Sequence, residues 1–136
     1  MAEKNNKYDA VLLIDDNEID NFINQRMIKS SKFSERIYVN TSARSAMEFL
    51  NNLSRAKGIP SEFIPKVILL DINMPIMDGF QFLEEFDKLP EDLKDGIKIA
   101  MLTTSINPSD LDRSNSDSRI IKYINKPLTA EHLKVI

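Results

Sequence analysis

The chain contains no cysteine and a single histidine. Without thiols there is no disulfide, no thiolate metal site and no cysteine nucleophile, which suits a reducing compartment. The lone histidine, His132, has no second histidine to share a zinc or copper site with. It falls in the last helical segment and reads as a surface residue. Excess positive charge is also missing: the net charge is −3, so there is no nucleic-acid footprint. No apolar run reaches the ~20 residues of a membrane span, and the opening MAEKNNKYDA has no apolar signal-peptide core. Repeats and low-complexity tracts are absent. These absences lead us to expect a cytoplasmic location, with neither nucleic acid nor membrane as a partner.

What is present suits one folded domain. A chain of 136 residues, 42% apolar, can bury a hydrophobic core without staples. DAVLLIDD, RIYV, KVILLD, IKIAMLT and RIIKYI are short apolar runs that read as strands, mostly continuous rather than alternating, as when helices cover both faces of a sheet. Between them lie helical patterns. NEIDNFINQRMIKSS carries Ile19, Phe22, Ile23 and Met27 as an inward stripe, with Asn17 or Asp16 as cap. A second helix, capped by Thr41 or Ser42, buries Ala43, Ala46, Met47, Leu50 and Leu53. GFQFLEEFDKL turns Phe82, Leu83 and Phe86 inward and closes at Pro90. Residues 54–65 hold Gly58, Pro60 and Pro65 and read as a loop. Pro127 opens a last, short helix. The alternation implies an α/β domain with a parallel sheet, over residues 8–136 after a flexible segment at 1–7.

The fourth helix stands apart. NPSDLDRSNSDS offers Pro108 for a first turn but only one large apolar residue, Leu111. Its Ser, Asn and Asp residues each sit about half a kcal/mol below Ala in helix propensity. A short, frayed helix of low stability is expected over 108–118.

The polar residues collect at strand ends. Asp15 and Asp16 end the first strand, Asp71 the third, Thr103 and Thr104 the fourth, and Lys126 follows the fifth. In a parallel sheet all carboxyl ends share one edge, where open α/β sheets bind ligands. Three carboxylates so gathered repel and raise one another's pKa. A divalent cation relieves this, and one that takes few protein oxygens and keeps its waters is Mg²⁺. Each residue also has a plainer role. A single Asp can cap a helix, Thr103 can be a β-branched strand residue, and Lys126 can be solvated. Gly79 reads as a turn glycine at positive φ, and Tyr123 as a packing residue.

LLIDD, LLDINMPIMDG, MLTTS and YINKPL, in this order, resemble the receiver domains of two-component response regulators. The resemblance runs from Tyr8 to the end. It implies a doubly wound, five-stranded parallel sheet of the flavodoxin-like, CheY-like type, in strand order 2-1-3-4-5. It also implies that Asp71 accepts a phosphoryl group from a sensor histidine kinase or histidine phosphotransfer protein. Asp16 and Asp71 would hold Mg²⁺ directly, Asp15 largely through water, and Asn73 through its backbone carbonyl. Thr103 would grip a phosphoryl oxygen, Lys126 would pair with the phosphoryl group, and Tyr123 would turn inward when Thr103 moves, altering the face of the fourth helix and fifth strand for a downstream protein. Such a chain is no enzyme beyond Mg²⁺-dependent autophosphorylation and slow autodephosphorylation. Against the family pattern, the 54–65 loop looks long and the last helix short. Two alternatives remain open: a haloacid-dehalogenase-like phosphatase, in which Asn73 stands where an acid is needed, and a receiver-like module that binds partners without phosphorylation.

Overall fold

Five runs of aliphatic residues form five parallel strands. In the computed structural model, which describes residues 6–104 and 107–136, these are β1 (Tyr8–Ile14), β2 (Ser34–Asn40), β3 (Val67–Asp71), β4 (Lys98–Thr103) and β5 (Ile120–Asn125), in the order β2-β1-β3-β4-β5. The expected flexible segment falls outside the described residues over 1–5; the Lys7 N–H donates to the Lys32 carbonyl at 3.0 Å. The helices are α1 (Glu18–Ser30), α2 (Ala43–Arg55), α3 (Gly79–Phe86), α4 (Pro108–Ser116) and α5 (Ala130–Lys134). The 54–65 stretch continues α2 to Arg55 and ends in a 3-10 turn, Ser61–Phe63; a one-turn helix, Glu91–Lys94, follows Pro90. No helix among the described residues is long and apolar enough to cross a membrane.

Alternation along the strands divides the core in two. Leu12, Ile14, Ile68, Leu70, Ile99 and Met101 face α2 and α3. Val11, Leu13, Val67, Leu69, Ala100 and Leu102 face α1 and α5. The central strands are therefore buried on both sides, which is why they are apolar throughout. The chain leaves β1 outward to β2, then crosses back to β3, so the carboxyl ends of β1 and β3 flank the switch point.

Four local expectations need correction. On α1 the buried residues are Asn21, Asn24 and Ile28, whereas Ile19, Phe22 and Ile23 are 70%, 60% and 44% exposed. The helix rotation is fixed by Asn17, whose side chain caps the Asp20 N–H, and by Asn21 Nδ2 donating to the Asp15 carbonyl at 2.8 Å. These polar anchors outweigh the apolar stripe. Gly79 does not adopt positive φ; among described glycines only Gly58 does. Gly79 opens α3, behind an Asp78–Gln81 capping box, where a Cβ would lie 2.9 Å from the Asp71 carbonyl oxygen and 3.0 Å from Ile72 Cα. Pro127 precedes the last helix rather than starting it: Thr129 is the cap. His132 is half-buried and part of that cap, its Nδ1 accepting the Thr129 N–H at 3.1 Å.

The other helices follow their patterns. Ser42 caps α2, over Ala43, Ala46 and Leu50. Phe82, Leu83 and Phe86 are buried on α3. α4 is a continuous nine-residue helix capped by Asn107, one residue longer than α3, with Pro108 in its first turn and only Ser114 buried.

The glycine contact yields a prediction. Gly79→Ala gains up to about 1 kcal/mol of helix propensity. It also forces apart two backbone segments, and such overpacking costs about 1–3 kcal/mol. The clash should win, because backbone atoms at 2.9 and 3.0 Å cannot swing away. Urea denaturation should show a lower midpoint; an equal or higher one would contradict the close approach.

Candidate functional site

β3 carries four aliphatic residues and then Asp71, whose carboxyl group is held at the sheet edge by a buried strand. Beside it, Asp15 follows β1 and is fully buried. Its Oδ1 accepts the Asn17 N–H at 2.9 Å, which orients the carboxylate. Asp16, the next residue, is exposed. Carboxylate oxygens of Asp15, Asp16 and Asp71 lie within 4.8 Å of one another. Three residues far apart or adjacent in sequence are thus brought together as the strand ends require.

Lys126 enters from the far side of the edge. Its N–H donates to the Thr103 carbonyl at 2.7 Å, one position past the Thr103–Asn125 pairing of β4 and β5. From there its Nζ reaches Asp15 Oδ2 at 2.5 Å, Asp20 Oδ2 at 3.0 Å and Asp71 Oδ1 at 3.5 Å. Burial lowers the Lys126 pKa, but hydrogen bonds and charges of Asp15, Asp71 and Asp20 outweigh it and the net shift is upward. The ammonium stays charged.

One ammonium does not offset the carboxylates. The Asp71 pKa is pushed up from 3.8 to about 6, first by burial and then by the Asp15 charge; Lys126 opposes this and Asp16 adds to it. A further cation fits such a site. All its side-chain donors are oxygens, which suits a hard divalent ion.

The remaining expected residues are distributed around this group. Thr103 is fully buried at the end of β4. Asn73 is exposed, two residues beyond Asp71, in a loop that returns through Met74 N–H and Gly79 N–H bonds to the Ile72 carbonyl, at 3.2 and 2.9 Å. Tyr123, on β5 opposite Met101, packs on the α2–α3 core. Its hydroxyl is buried near Thr103 and the Asn107 backbone, and burial followed by the Asp110 charge raises its pKa. Tyr123 is therefore already turned inward.

One participant was not foreseen. Asp20, in the first turn of α1, reads in sequence as an ordinary acidic residue near a helix N-terminus. Only the α1 rotation brings it to Lys126. The sole sequence signal is its place four residues after Asp16, one helical turn into α1.

Comparison with known proteins agrees with this geometry. The family model for the response regulator receiver domain matches residues 11–136. Response regulator Rcp1 of Synechocystis sp. is 32% identical over 111 residues, covering 82% of this chain and 72% of that protein. A crystal structure of a two-component response regulator from Cytophaga hutchinsonii superposes with a TM-score of 0.83 at 34% identity, over 94% of this chain and 92% of that one. The Mn(2+)-bound form of Rcp1 gives a TM-score of 0.69 at 30% identity, over 92% and 86%. With the sheet order, the buried strand-end Asp71 and a family match over nearly the whole length, the chain belongs to the response regulator receiver domains of two-component systems.

Proposed function

We propose that residues 8–136 act as a phosphoacceptor and that Asp71 carries the phosphoryl group. The observation that carries this reading is a buried strand-end carboxylate, raised in pKa, beside a buried ammonium and two further acids. The donor is phosphohistidine of a sensor histidine kinase or a histidine phosphotransfer protein. Among the relatives are a peroxide stress-activated histidine kinase, mak1, of Schizosaccharomyces pombe and a sensor histidine kinase, CheAY, of Helicobacter pylori, which supports a kinase partner. The work takes place in the cytoplasm, and the output is protein contact.

An Asp71 carboxylate oxygen attacks phosphorus, the N–P bond breaks, and the imidazole nitrogen leaves with the electron pair and takes up a proton. Positioning and charge dominate such transfers. Asp15, Asp16, Asp71 and the Asn73 carbonyl would hold Mg²⁺, which supplies Lewis-acid neutralisation of phosphoryl charge when bound; that a relative, Rcp1, was solved with Mn(2+) supports a divalent ion. Lys126, 3.5 Å from Asp71 Oδ1, meets the charge that develops on the equatorial oxygens. The product adds roughly 1.5 to 2 negative charges. Thr103 holds one of its oxygens, and the pull passes to α4 and β5 through Tyr123. Catalysis by this chain ends with its own phosphorylation and slow dephosphorylation. A phosphatase reading is disfavoured, because Asn73 cannot act as the second acid.

Incubation with acetyl phosphate and Mg²⁺ should add one phosphate, mapped to Asp71 by mass spectrometry, and none in Asp71→Asn. A phosphate on another residue would exclude the assignment.

Asp16→Asn should weaken Mg²⁺ by at least roughly tenfold in calorimetry, since even outer partners of metal ligands cost that much. Unchanged affinity would remove Asp16 from the metal site.

The raised Asp71 pKa also sets a pH dependence. A carboxyl whose folded pKa of about 6 exceeds its ordinary 3.8 favours the folded state below the lower value. That advantage is lost as pH rises through the higher one. Without metal, Asp71→Asn should therefore be more stable than wild type at pH 7, by up to about 3 kcal/mol. The gap should close toward pH 4. Denaturation in EDTA at both pH values tests this; an equal gap at both would refute it.

A further inference from the structure

Lys126 is shared unequally. Its Nζ lies 2.5 Å from Asp15 Oδ2, 3.0 Å from Asp20 Oδ2 and 3.5 Å from Asp71 Oδ1. The residue assigned to the phosphoryl group thus rests on two other acids, and Asp71 is its most distant partner. We propose that Asp20 is a positioning residue that retains the Lys126 ammonium in the unphosphorylated protein and competes with the phosphoryl group for it. This rests on the phosphoacceptor reading above.

The position of Asp20 is built. Its N–H is capped by the Asn17 side chain at 3.0 Å, and Asn17 N–H is in turn bound by Asp15 Oδ1. Cap, Asp15 and Asp20 form one frame at the head of α1, so the Asp20 backbone is fixed opposite Lys126 while its carboxylate remains free to rotate toward water. The burial of the three acids differs in a useful way. Asp15 and Asp71 side chains are 0% and 7% exposed, whereas that of Asp20 is 28% exposed. Asp20 can give up the ammonium and regain water, which neither of the other two can do as readily. It therefore acts as a reversible hold: tight enough to keep Lys126 ordered, solvated enough to yield when a dianion arrives on Asp71. Removing it leaves Lys126 with fewer competitors for the incoming charge.

The experiment is a titration with beryllofluoride and Mg²⁺, a non-covalent stand-in for the acyl phosphate, followed by ¹⁹F NMR. Asp20→Asn should bind beryllofluoride roughly three- to fivefold more tightly than wild type, the range expected for a partly exposed ion pair. Asp20→Glu, which keeps the charge, should restore wild-type affinity. In a Lys126→Ala background the Asp20→Asn change should have no effect, because the two residues act through one contact. A merely structural lesion would lower affinity rather than raise it. Unchanged or weaker binding in Asp20→Asn overturns the proposal. So does an equal gain in the Lys126→Ala background, which would mark a general charge effect. If wild type takes up beryllofluoride while these differences are missing, this inference alone fails; if wild type takes up none, the phosphoacceptor reading fails with it.

Discussion

One buried ammonium among acids governs the design of this molecule. Lys126 touches Asp15, Asp20 and Asp71, and burying such a group is a poor route to stability, because desolvation offsets most of the Coulomb attraction. The raised Asp71 pKa is the visible remainder of that imbalance. What the arrangement does is hold the Asp71 carboxylate beside an ammonium, short of full compensation. In the function proposed above, that shortfall is what would draw a divalent ion and, later, a phosphoryl group.

The rest of the fold supplies a rigid half and a softer half around this cluster. β1 and β3 are buried on both faces and fix Asp15 and Asp71. Gly79 brings α3 against the Asp71 backbone, so the strand end is clamped from behind. α4 differs. It buries a single serine and is tied to α3 largely through side chains at its edges. The Arg113 guanidinium sits 3.9 Å over the Phe80 ring. Arg119, just past the helix, binds Asp117, Asp87 and the Leu83 carbonyl. Tethers of this kind can be exchanged without breaking a core, which fits the proposed role of α4 as the segment that responds to Asp71.

Much of this was legible in sequence. Continuous aliphatic runs ending on Asp, Thr and Lys define both the strands and the edge where they converge, since a parallel sheet leaves no other place for those residues. α2 and α3 were equally readable, because their apolar stripes are the faces they bury. The failures share a cause: each depended on a contact distant in sequence or on local cap geometry. α1 shows a clear apolar stripe, yet with Asn17 and Asn21 as anchors its first three residues face outward and Met27 alone of the four packs on the core. Gly79 looks like a turn glycine until the Asp71 carbonyl is found where its Cβ would be. Asp20 looks like a helix-start acid until α1 is rotated toward Lys126. Periodicity reports which residues share a face, not which way that face points.

The most direct measurement is the titration of the Asp71 side-chain carboxyl by ¹³C NMR, with and without Mg²⁺. In metal-free buffer the midpoint should lie near the raised value of about 6, and saturating Mg²⁺ should move it well downward, because a nearby positive charge favours the carboxylate. A metal-free midpoint at the ordinary 3.8, unmoved by Mg²⁺, would contradict an under-compensated carboxylate cluster as the basis of this site.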